Sequence, residues 1–198
     1  AFPGHTWLMY EPTFGMLEKI IINSSDPSRP SLIDYFRNMG HHPDYMAKSH
    51  ILKTDFGQVY LSSSDNPNSM QGAAVRGAWG DEAGMGSLLA YQTGNQRCNM
   101  MNGQHLLTTT PYNLGFLKTE IFDSKDPEIH VERWRSIDRP GYPQAAYDFA
   151  KRTLPAWRFA MMYDAMFERP AGLVYDCFDD SIDLIDRRPI PKEWPVYV

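Results

Sequence analysis

The chain has 198 residues, 42% of them hydrophobic and 13% aromatic, and carries a formal net charge of −5. The length suits one α/β domain, or a domain with an appendage, and the composition is that of a folded core. The negative balance argues against a chain that coats nucleic acid nonspecifically, while leaving room for a local basic surface. No apolar run approaches the roughly 20 residues of a membrane span, and AFPGHTWLMY lacks both the basic start and the long apolar stretch of a signal peptide. Cys98 and Cys177 have no C-x-x-C or histidine spacing, so both read as free buried thiols in a reducing compartment. The chain opens without Met in what reads as the approach to a strand, as expected of a piece of something larger.

In chain order, HTWLMYEP reads as a strand ending at Pro12. TFGMLEKIII follows as a short amphipathic helix with Thr13 as its cap. SRPSLIDYFRNMG repeats the pattern, with Ser31 as cap, Leu32, Tyr35, Phe36 and Met39 at helical spacing, and Gly40 as stop. HILKTDFGQVYLSSSD predicts a hairpin turning at Asp55-Phe56-Gly57, and NPNSMQG a polar turn or short helix. VRGAWGDE reads as a central strand and GSLLAYQTGNQRCNM as the helix after it. GQHLLTTTPYN predicts a buried strand closed by a hydroxyl-rich turn at Pro111, LGFLKTEIFD a helix, and EIHVERWRS an alternating strand. YPQAAYDFAKRTLPAWRFAMMYDAMF gives two helices broken at Pro155, with a proline-rich connector after short strand-like pieces in the tail. Strands alternating with helices imply an α/β domain with a largely parallel sheet.

Two strand ends carry the chemistry. Asp81 and Glu82 end one strand, and Thr108, Thr109 and Thr110 end the next. Open parallel sheets bind ligands at the carboxyl ends of their strands, so neighbouring strands would point both sets into one crevice. An Asp can hold Mg²⁺ through water, because that ion keeps much of its hydration shell. A Glu can orient and deprotonate an attacking water, and threonine hydroxyls can sense a γ-phosphate. The remaining features are blander. His41-His42 sit in polar loop, AWRFAMMYDAMF is core at helical spacing, and DCFDDSIDLID is a solvated acidic segment. ERWR and RSIDRPGYP read as exposed loops, although basic residues beside aromatics could touch a DNA backbone. Glu11, at the end of the first strand, could face the same crevice, but a strand ending before Pro12 explains it.

Four blocks, in order, resemble the large terminase subunit of tailed bacteriophages, the ATP-driven motor that packs DNA into a capsid. WLMYEPTFGML is similar to the strand and helix that follow the phosphate loop in that family. SSSDNPNSMQGAAVRGAWGDEAG resembles the run into its Walker B motif, and GQHLLTTTPYNLGFLKTEIF resembles its coupling motif. TLPAWRFAMMYDAMFERPAGLVYDCFD resembles the segment closing the ATPase domain. Two departures stand out: Arg76, Gly77 and Gly80 interrupt the apolar run before Asp81, and Arg139-Pro140 stands where the family often carries Asn-Pro.

The resemblance implies a phosphate-loop NTPase-like α/β fold of the ASCE type, a mostly parallel sheet flanked by helices and truncated on its N-terminal side. Residues 1–170 would be the C-terminal part of the ATPase domain, and 171–198 a closing segment and linker toward an absent nuclease domain. Asp81 would be the Mg²⁺-side carboxylate, acting through water, and Glu82 the general base. Thr109, Thr110 and Pro111 would form the coupling turn, and Arg76 and Arg97 are the candidates for an arginine reaching across subunits. The implied cofactors are ATP and Mg²⁺. The implied partners are double-stranded DNA, a small terminase subunit, a portal protein and identical copies in a ring, with no membrane, in the bacterial host cytoplasm at the procapsid portal. No G-x-x-x-x-G-K-[ST] occurs in the 198 residues. The resemblance places that loop just before Ala1, so the chain alone is expected to hydrolyse little or nothing, and loss of the loop's strand would leave an unpaired sheet edge. Two other readings stay open: a helicase-like phosphate-loop ATPase fragment, and a non-catalytic prophage remnant serving as an interaction module.

Overall fold

A computed structural model of the chain describes residues 4–22 and 30–169. Its centre is β1 (His5–Glu11), which pairs in parallel with β4 (Gly57–Ser63) on one side and β5 (Gly77–Gly80) on the other. Outside β4 lie β3 (Ile51–Thr54) and the short β2 (Asp44–Met46), both antiparallel, and outside β5 lies β6 (Gln104–Leu107), parallel. The order β2-β3-β4-β1-β5-β6 gives a six-stranded, mostly parallel sheet flanked by helices, as the alternation of the sequence predicts. Among the described residues β6 has a neighbour on one side only.

The interrupted run before Asp81 has a packing explanation. In register, Trp7 lies opposite Gly77 and Tyr10 opposite Gly80. A Cβ on Gly77 would come within 2.8 Å of the Trp7 ring, and one on Gly80 would run into the Tyr10 ring. Aromatic rings of β1 therefore fill the space that two β5 side chains would occupy, one on each face of the sheet. Both faces are covered, as parallel strands require. One carries Leu8, Tyr10, Val75 and Ala78 under α3 (Leu88–Asn99), with Cys98 free and buried there. The other carries Met9, Leu52, Val59 and Leu61 under α1 (Phe14–Leu17) and α2 (Leu32–Asn38). Leu17 and Leu52 are fully buried on that face, each contributing about 1.5–3 kcal/mol.

Two helix caps form as the sequence indicates: Thr13 accepts the Met16 amide, and Ser31 and Asp34 form a capping box. Ser87, which the sequence did not single out, caps α3 by accepting the Ala90 amide. After α1 the chain continues as a π-helical turn over Glu18–Ile22. In α2 the buried side chain is Ile33, with Leu32 and Phe36 packed beside it, while the expected Tyr35 and Met39 are exposed. Two turns of helix are too few for spacing to distinguish these stripes. LGFLKTEIFD is a π-helical turn over Leu117–Phe122. EIHVERWRS is not a strand: no strand among the described residues pairs with it, and Val131 and Trp134 face solvent. Alternation predicts a strand only where one set of side chains has something to cover. The two C-terminal helices, α4 (Gln144–Thr153) and α5 (Ala156–Tyr163), break at Pro155 and share a core of Tyr147, Ala150 and Phe159. Cys177, the acidic tail and the expected linker 171–198 lie outside the described residues.

Under α3 a polar chain crosses the sheet face. His105 Nδ1 donates to Asn95 Oδ1 at 2.6 Å, and its Nε2 accepts the Tyr10 hydroxyl at 2.8 Å. That tautomer follows because Asn95 Oδ1 can only accept. Burial lowers the His105 pKa from 6.5 to about 4. The unfolded chain therefore takes up this proton first, and stability present above pH 6.5 is lost as pH falls through about 4. Urea unfolding should show a loss on the order of 3 kcal/mol across that window, and His105→Asn should remove this part of the slope.

Candidate active site

Three carboxylates meet at the carboxyl ends of β1 and β5. The Asp81 amide donates to the Tyr10 carbonyl at 3.0 Å, so the β1–β5 ladder continues past Gly80 and brings Asp81 alongside Glu11. Glu82 follows in the left-handed region, at φ 47° and ψ 37°, and opens a 3₁₀ turn over Ala83–Met85. The end of β4 adds hydroxyls: Ser63 lies opposite Glu11 in register, and Ser62, Ser63 and Ser64 are all buried.

The threonine turn after β6 closes over the acids, as expected of neighbouring parallel strands. Thr108 Oγ1 accepts the Trp79 indole N–H at 2.8 Å and donates to Asp81 Oδ1 at 2.5 Å. The Thr108 carbonyl takes the Ala83 amide at 3.1 Å, and Thr109 Oγ1 takes the Gly84 amide at 3.0 Å. Thr109 also donates to the Thr110 carbonyl, and Pro111 is buried. Tyr112 then donates its hydroxyl to Glu82 Oε2 at 2.9 Å, and burial and this bond raise the Tyr112 pKa. Thus Asp81, Glu82, Thr109, Thr110 and Pro111 come together, but the side chains that grip the acids are Thr108 and Tyr112.

Arg76 and Arg97 lie elsewhere. Arg76 precedes β5, roughly 17 Å of strand from Asp81, and its guanidinium donates to the carbonyls of Met101 and Asn102. Arg97, in the last turn of α3, offers its carbonyl to the Val75 amide at the same end. Neither makes an ion pair with Glu11, Asp81 or Glu82.

Glu11 is the residue that sequence reasoning passed over. It is fully buried, and neither carboxylate oxygen has a hydrogen-bond partner among the described residues. Burial foremost, then the charges of Asp81 and Glu82, raise its pKa from 4.5 to about 8; a proton on Glu11 turns its contact with Asp81 into a hydrogen bond. A signal existed: LSSSD ends β4 with hydroxyls much as LLTTTP ends β6, marking both flanks of one polar end.

Among the described residues, none of Glu11, Asp81 and Glu82 makes an ion pair. That uncompensated charge, all of it on hard oxygen, fits a cation such as Mg²⁺. No three His, Cys, Asp or Glu side chains among the described residues are placed to hold a metal ion directly.

No protein-family model matches the sequence, and no curated protein matches it significantly. Solved structures do match. The large terminase of a thermophilic bacteriophage superposes with a TM-score of 0.72 at 17% identity, over 96% of this chain and 48% of that one. The same terminase in complex with ATP-γ-S gives a TM-score of 0.71 at 18% identity. The large terminase ATPase domain of a Thermus phage gives 0.65 at 16% identity, over 84% of this chain and 78% of that domain. The fold is that of large terminase ATPase domains, and the chain spans about half the length of the first of these terminases.

Glu11→Gln reproduces the protonated side chain without its titration. The folded protein holds a proton here that the unfolded chain releases, so wild-type stability should fall as pH rises from 4.5 through about 8. Thermal unfolding at stepped pH should find the variant more stable by roughly 1–3 kcal/mol at the alkaline end. A variant less stable at every pH would show that Glu11 is satisfied as an anion.

Proposed function

We propose that this chain is the water-activating part of a phage DNA-packaging ATPase, a terminase large subunit. The observation that carries the reading is the meeting of Asp81 and Glu82 with the threonine turn at adjacent parallel strand ends. The likeness to terminase ATPase domains supports it, as does the thermophilic phage terminase having been crystallised with ADP and with ATP-γ-S.

In this reading Asp81, oriented by Thr108, holds Mg²⁺ through water. Bound there, the ion would neutralise charge on the β- and γ-phosphates and act as a Lewis acid. Glu82 accepts a proton from the attacking water. The loop from Thr108 to Tyr112 touches both acids, so a change at the phosphate would reach β6 through it. The phosphate cradle would come from a strand laid on the edge of β6 that no described strand pairs with. Hydrolysis would then drive double-stranded DNA through a portal, in a ring of identical subunits working with a small terminase subunit in the host cytoplasm. Arg76 or Arg97 would act on a neighbour's nucleotide, consistent with both lying away from their own acids.

The test is phosphate release by the complete encoded polypeptide with ATP and Mg²⁺. Glu82→Gln should lower kcat by about 100-fold or more while ATP still binds, and Asp81→Asn should raise the Mg²⁺ concentration required. Turnover indifferent to both substitutions would contradict the reading.

A further inference from the structure

The loop after β6 is stitched to the acid turn by five hydrogen bonds, and they are not equivalent. Three end on turn backbone: the Ala83 amide on the Thr108 carbonyl, the Gly84 amide on Thr109 Oγ1, and the Asn113 amide group on the Gly84 carbonyl. A fourth orients Asp81 through Thr108 and is backed by the Trp79 indole. The fifth, from the Tyr112 hydroxyl, takes an oxygen of Glu82 itself.

That fifth bond differs in its setting. Tyr112 is 43% exposed, so water could satisfy both partners as well as they satisfy each other. Fold stability therefore does not require it. Glu82 is also a non-glycine residue in the left-handed region, a backbone state that is unfavourable unless its surroundings hold it. The amides of Ala83 and Gly84 fix the turn on one side of it, and Tyr112 fixes the side chain on the other. A carboxylate oxygen occupied by a tyrosine hydroxyl is less available to take a proton from water.

We propose that Tyr112 is a positioning residue that parks Glu82, withholding the general base until the threonine loop moves. This rests on the ATPase reading of the site. When the loop carrying Tyr112 shifts, the hydroxyl leaves Oε2 and a water takes its place, so loop position gates hydrolysis. The exchange is one hydrogen bond for another and needs no other reactant.

Tyr112→Phe deletes the hydroxyl and keeps the ring, and Tyr112→Leu deletes both. Steady-state ATP turnover by the complete encoded polypeptide, without DNA, should rise about tenfold in kcat for both variants, with KM for ATP unchanged. An unspecific loss of structure would lower kcat or raise KM instead. A parent enzyme that turns over ATP while both variants match it or fall below it would overturn the parking role alone. A parent that turns over no ATP under any condition would overturn the ATPase reading, and this inference with it.

Discussion

The register between β1 and β5 is the constraint from which the site follows. Trp7 opposite Gly77 and Tyr10 opposite Gly80 let two central strands pack closely, with a ring on each face. A side chain at either glycine would push a ring aside and open the ladder. Because the ladder holds, it runs one step further, and Glu11 and Asp81 end side by side. The residues that make VRGAWGDE a poor strand by hydropathy are the ones that make it a good neighbour for an aromatic strand.

That convergence has a cost, and the rest of the polar end manages it. Three carboxylates share one end of the sheet with no cation among the described residues paired to them. Glu11 meets the problem by retaining a proton, Asp81 by accepting from Thr108, and Glu82 by accepting from Tyr112. Proteins keep such concentrations of like charge where chemistry needs them. In the proposed reading, Asp81 and Glu82 are the acids that take the cation and the water. On the α3 face, the Tyr10–His105–Asn95 chain is fully partnered and anchors the sheet to its helix.

Much of the fold was legible because its signals are local. Thr13 and Ser31 are caps by their own chemistry, Asp55-Phe56-Gly57 turns a hairpin, and Pro155 breaks a helix. Asp81, Glu82 and the threonines were legible as strand ends whose adjacency the sheet then supplied. Glu11 and Tyr112 were not, since each acquires its role only through a partner about 30 to 70 residues away, a separation that no periodicity encodes. EIHVERWRS failed for the opposite reason: its alternation is real, but the sheet ends elsewhere.

A crystal structure of the complete encoded polypeptide with ATP-γ-S and Mg²⁺ tests the account most directly. The account predicts the γ-phosphate between Asp81 and the threonine turn, Glu82 within hydrogen-bond reach of a water in line with it, and the phosphate-loop strand paired to β6. Nucleotide bound away from these strand ends, or a β6 edge left bare with nucleotide present, would contradict it.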